Sequence, residues 1–110
     1  MAVLVIFFGV GAGLIIYITT GGGGASRTIS LTVTGNSMSP DPITAKKGDH
    51  LTVNVTTDKA EEIHLHGYDI KFAGEPGKTV SHTFTADTAC TCVIEIEDTS
   101  TEIGSLVVSP

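Results

Sequence analysis

The chain has 110 residues, room for one small domain at most. Six Lys or Arg against twelve Asp or Glu leave a net charge of −6 with no basic patch, which argues against nucleic acid as a partner. Every charged side chain lies between Arg27 and Glu102, so the first 26 residues carry none. A uniformly polar chain is thereby excluded. So is a polytopic membrane protein, because no second apolar run is long enough to span.

The first element is the apolar run MAVLVIFFGVGAGLIIYI, Met1 to Ile18. As a helix over residues 1–20 it would extend roughly 30 Å, the thickness of a bilayer core. This predicts a single transmembrane helix that is retained as an anchor. The alternative is a cleaved signal peptide. Gly23 and Ala25 suit small-residue cleavage, but the basic leader is missing and the apolar run is long. Gly9 and Gly13 form a GxxxG pair, a spacing that lets another transmembrane helix approach closely. Glycine is also simply common in membrane helices. Gly21 to Gly24 end the helix, and residues 21–26 read as a short flexible linker reaching about 10–12 Å.

From Thr28 onward the apolar period is two. Ile29, Leu31 and Val33 alternate with Thr and Ser, as do Leu51, Val53 and Val55 with Thr52, Asn54 and Thr56. Val80, His82 and Phe84 form a third run, and Cys92, Ile94 and Ile96 a fourth. Such alternation describes strands with one buried face. Turn signals at Gly35-Asn36, Pro40 to Pro42, Lys47 to Asp49, Gly74 to Gly77 and Asp98 to Thr101 separate the runs. Residues 27–110 therefore predict an all-β domain, an antiparallel sandwich or barrel of seven or eight strands.

The stretch from Met38 to Pro110 carries a resemblance. Met38-Ser39-Pro40, Lys47-Gly48-Asp49 and above all Glu62-Ile63-His64-Leu65-His66-Gly67-Tyr68-Asp69 stand out. Pro76-Gly77-Lys78, Phe84 to Asp87 and Gly104 to Pro110 complete the pattern. Together they resemble a cupredoxin-like domain, of the small bacterial group that contains an HxHGYD signature. The resemblance implies an exported Greek-key sandwich and raises copper as the cofactor the pattern admits, though none is demanded. The body is accordingly expected on the exported, periplasmic or extracellular side of the cell membrane.

A type 1 copper centre takes two imidazoles, a thiolate and a weak thioether. No His or Met follows Cys92, so that set is incomplete. The resemblance implies a Glu-x-His pair near the last strands, and Glu97 stands where that His would fall. His64 and His66, two apart on a strand, project to one face. They make half a site for copper or zinc, with Glu95 or Glu97 supplying oxygen. The bland alternative is a local hydrogen bond to Asp69. Cys92 and Met38 are weaker candidate ligands, with packing as their alternative. A Cys90–Cys92 disulfide is not expected, since two cysteines on one strand face meet with difficulty; Cys90 reads as a free thiol. His82 reads as part-buried and His50 as solvated.

Glu95, Glu97, Asp98 and Glu102 gather acid late in the chain. They read either as a solvated face or as a docking surface for a basic protein partner. No catalytic pattern is visible, which predicts a protein that is not an enzyme. Three functions follow as expectations. The first is an accessory, structural subunit of a larger membrane complex, held by its helix among other transmembrane subunits, with a degenerate copper site. The second is a membrane-tethered copper-binding protein, for electron transfer or copper delivery, using His64 and His66. The third is a pilin-like filament subunit.

Overall fold

The computed structural model describes residues 24–110 in full and, of the earlier chain, the backbone of Val3–Gly9 and Gly13–Thr19. These two segments are strands β1 and β2, paired antiparallel. The predicted helix over residues 1–20 is thus corrected where the chain is described. Val, Ile, Phe and Tyr favour the pleated conformation, while glycines at 9, 11 and 13 each weaken a helix by about 1 kcal/mol. Gly9 and Gly13, expected side by side on a helix, instead face each other as paired residues of β1 and β2. No helix among the described residues is long and apolar enough to cross a membrane.

The expected linker, residues 21–26, lies outside the described residues up to 23. From Gly24 onward it is docked, which corrects the flexible reading. Gly24 abuts the Gly48 carbonyl so closely that no side chain would fit. Asp49 Oδ1 accepts from the Ala25 amide at 3.2 Å, and the His50 amide donates to the Ala25 carbonyl at 2.8 Å. The buried Asp49 carboxylate also accepts from the Lys46 amide at 2.9 Å. One side chain therefore ties the start of β3 (Ser26–Thr34) to the end of β5 (Ile43–Lys46).

The remaining strands are β4 (Ser37–Ser39), β6 (His50–Thr57), β7 (Glu61–Leu65), β8 (Ile70–Gly74), β9 (Thr79–Thr85), β10 (Cys90–Ile96) and β11 (Thr101–Ser109). One sheet runs β1-β2-β3-β6-β9, with β4 on β3; the other runs β5-β11-β10-β7-β8. The parallel pairings β3·β6 and β5·β11 place chain-distant strands side by side, as the long connections of a sandwich require. Nine strands lie between Ser26 and Ser109, more than the seven or eight predicted. The surplus consists of short pieces such as β4, which carry too few residues to show a period.

The period-two residues close the core. Ile29, Leu31, Val33, Leu51, Val53 and Val55 come from the first sheet; Ile63, Leu65, Ile94, Ile96, Leu106 and Val108 come from the second. All are at most 5% exposed. Burying each such side chain contributes about 1.5–3 kcal/mol before the opposing chain entropy. Strand β9 sits at the edge of its sheet. His82 there is exposed rather than part-buried, its ring edge-on to Phe72 at 5.0 Å.

Candidate metal centre

Strand alternation sets the site. Ile63 and Leu65 of β7 enter the core, so His64 must point to the outer face of the second sheet. On the neighbouring strand, Ile94 and Ile96 enter the core and Glu95 points outward. The register pairs Glu95 with His64 directly. A register shift against β11 falls between Ile94 and Glu95, where the pairing jumps from Gly104 to Glu102. Such irregularities re-aim side chains beside functional sites. His66 follows β7 at once, its amide donating to the Val93 carbonyl at 2.9 Å. Glu97 opens a single 3-10 turn, Glu97–Thr99, directly after β10.

These four residues converge. Each offers one ligand atom, and the four atoms lie within 4.8 Å of one another. The two imidazole rings stand 4.3 Å apart, tilted by 48°. His66 Nε2 lies 2.5 Å from Glu95 Oε1. His64 Nε2 lies 2.9 Å from Asp69 Oδ1, and His64 Nδ1 lies 3.0 Å from Glu97 Oε2. The His64 side chain is 12% exposed and that of Glu95 19%.

The last contact decides what the cluster can do. His64 Nδ1 and Glu97 Oε2 are buried atoms, and neither makes a hydrogen bond despite their closeness. A neutral His64 that donates from Nε2 to Asp69 presents a bare lone pair at Nδ1. In that neutral form the lone pair and a carboxylate oxygen repel unless a cation lies between them, whereas a proton on Nδ1 would make the contact an ion pair. A carboxylate that holds the far nitrogen of an imidazole is also how proteins orient a metal-binding histidine.

The donors are two nitrogens and two oxygens, a set that suits Cu(II) or Zn(II). They do not fit a type 1 copper centre, which needs a thiolate. Cys92 cannot supply one, because it is bonded to Cys90 and faces the core. This corrects both the free Cys90 thiol and the candidacy of Cys92. The two Cα atoms are only 5.4 Å apart, inside the usual disulfide range, so two cysteines on one strand face do meet here. Met38 is also corrected as a ligand. It is 7% exposed in the core and packs against Gly104, on the face of the sheet opposite His64.

Of the acidic residues read as a docking face, Glu95 and Glu97 belong to the metal cluster. Glu102 lies opposite Glu95 on β11, and Asp98 is exposed in the 3-10 turn. His50 is exposed, with its Nδ1 3.0 Å from Thr85 Oγ1. Glu61 carried no signal in the sequence. It is 9% exposed, and its Oε1 has no hydrogen-bond partner. Burial pushes its carboxyl above the ordinary value; Lys59 opposes this, and Asp58 and Asp98 add to it.

No protein-family model matches the chain, and no curated protein matches it by sequence. Among solved structures it is similar to a multicopper oxidase, with a TM-score of 0.62 and 20% identity. That match covers 86% of this chain and 46% of the oxidase, so the chain spans just under half of that protein's length. The finding corrects the expectation of a protein that is not an enzyme, since the fold is one on which an oxidase is built. At 20% identity the likeness carries the fold alone. The fold is cupredoxin-like, as the resemblance over Met38 to Pro110 implied.

Proposed function

We propose that this cupredoxin-like domain binds one divalent metal ion, Cu(II) or Zn(II), on the outer face of its second sheet. His64 Nδ1, a His66 ring nitrogen and one oxygen each from Glu95 and Glu97 are the ligands. The observation that carries this reading is the buried pair His64 Nδ1 and Glu97 Oε2, 3.0 Å apart and without a hydrogen bond. The test is metal analysis of the full chain after loading with Cu(II) or Zn(II) and removal of free metal. One ion per chain is expected, and none in His64→Ala/His66→Ala. Equal metal content in the double variant would overturn the assignment.

A second reading concerns location and partners, and rests on the charge-free first 26 residues. In it the apolar segment holds the domain at the exported side of the cell membrane, as an accessory subunit of a larger complex. The residues Asp98 and Glu102 then face a basic partner. Native gel mobility of gently solubilised membranes tests this. Migration as a lone chain, or recovery in the aqueous fraction, would count against it.

A further inference from the structure

The Cys90–Cys92 bond spans a single intervening residue. Closing so short a loop removes little freedom from the unfolded chain, so this cross-link contributes little as a structural staple. The second sheet also leaves it uncovered. Strand β7 pairs with β10 only at Ile94, Glu95 and Ile96. Beyond the His66–Val93 hydrogen bond the chain turns away at Gly67, whose φ of +86° suits glycine. On the β7 side, residues Cys90 to Val93 are therefore left without a strand partner among the described residues. A pocket of about 460 Å³ opens there, lined by His66, Gly67, Cys90, Thr91, Cys92 and Val93. The two sulfurs differ in access: Cys90 is half-buried, while Cys92 is 5% exposed and lies against Gly67.

We propose that Cys90–Cys92 is a redox-active disulfide that exchanges with dithiols entering this pocket. It is a second site on the strand that carries Glu95, and His66 stands between it and the metal cluster. A thiolate of the dithiol attacks Cys90 Sγ, the more accessible sulfur. The Cys90–Cys92 bond breaks, and Cys92 Sγ leaves with the electron pair and takes a proton. The second thiol of the partner, deprotonated, then attacks the mixed disulfide. The partner departs as a disulfide, and Cys90 leaves as a thiolate that is protonated. Two electrons and two protons pass from the dithiol to the chain. The unpaired edge of β10 provides backbone groups on which an extended, cysteine-bearing segment can align during exchange.

The full chain is equilibrated in glutathione buffers of graded composition and, in a parallel arm, in dithiothreitol. Free thiols are counted by the mass added by a maleimide, and circular dichroism is recorded on the same samples. The expected result is a change from zero to two labelled thiols while the β-sheet spectrum stays unchanged. Cys92→Ser should trap one glutathione, at Cys90. Cys90→Ser/Cys92→Ser should keep its fold, with Tm within about 5 °C of the parent. The proposal is overturned if the bond resists every buffer until the chain unfolds. Collapse of the double variant would equally overturn it, by showing a structural staple.

Discussion

His64 Nδ1 and Glu97 Oε2 face each other at 3.0 Å without a hydrogen bond between them. The closeness is imposed from both sides. Strand β7 holds His64 by burying Ile63 and Leu65, and the turn after β10 holds Glu97 by burying Ile96. Both backbones are fixed by that packing, while the Glu97 side chain itself is 39% exposed. With a neutral His64 the metal-free site holds a repulsion that a cation, or a proton on Nδ1, would convert into attraction.

Glu97→Gln separates the two contributions by sign. A Gln side chain of the same shape can present an N–H to His64 Nδ1, where the carboxylate presents only an acceptor. The metal-free protein should then gain about 0.5–1.5 kcal/mol, read from urea unfolding. Metal affinity should fall at the same time, because a charged ligand oxygen is lost. Loss of both stability and affinity would show that the contact is an ordinary favourable one.

Asp69→Asn tests the support behind His64. Asp69 Oδ1 lies 2.9 Å from Nε2, yet its side chain is 86% exposed. Asp69 has a φ of 52°, a conformation that Asn tolerates as well as Asp. Backbone and fold should therefore survive unchanged. The expected outcome is a loss of about 10–100-fold in metal affinity, measured by competition with a chelator. An unchanged affinity would show that Asp69 merely decorates the surface.

Glu61 sets a pH dependence at a different place. Its folded carboxyl titrates above the ordinary value, chiefly because burial disfavours the charge. Between the ordinary and the raised value the folded state binds more protons than the unfolded one. Stability from this group is thus fully present at pH below the ordinary value of 4.5 and falls as pH rises through the raised one. Glu61→Gln removes the charge and should flatten that decline. Melting temperatures should diverge above the window in favour of the variant and converge near pH 4. Parallel curves for both proteins would sink the assignment.

What the sequence made legible was whatever follows from a period of two. Ile29, Leu31, Val33, Leu51, Val53 and Val55 showed their face, and the same rule put His64 on the opposite side from Leu65. Pairing between strands has no such local signature. Glu95 and Glu97 were reached through the resemblance, while the register that sets Glu95 beside His64 and the turn that returns Glu97 to Nδ1 have no signal near His64. The apolar start failed for a related reason. Hydropathy and length report that a segment is apolar, while Val, Ile and Phe interrupted by glycines decide between helix and strand. The disulfide was missed by applying an ideal strand spacing to a pair whose Cα atoms sit at 5.4 Å.

Gly67→Ala probes the junction between the histidine strand and the disulfide. A Cβ at this position would lie 2.6 Å from Cys92 Sγ, well inside van der Waals contact. The φ of +86° adds a second penalty, which an L side chain incurs whatever the space. The two costs together should remove about 2–4 kcal/mol of stability. They can be separated. In a Cys90→Ala/Cys92→Ala background the sulfur is gone, so the clash disappears and only the backbone cost remains. The same glycine substitution should then cost about 1–2 kcal/mol, giving a coupling of about 1 kcal/mol or more between residues 67 and 92. A cost equal in both backgrounds would mean that the turn at Gly67 is fixed by its backbone alone, without help from the sulfur packed against it.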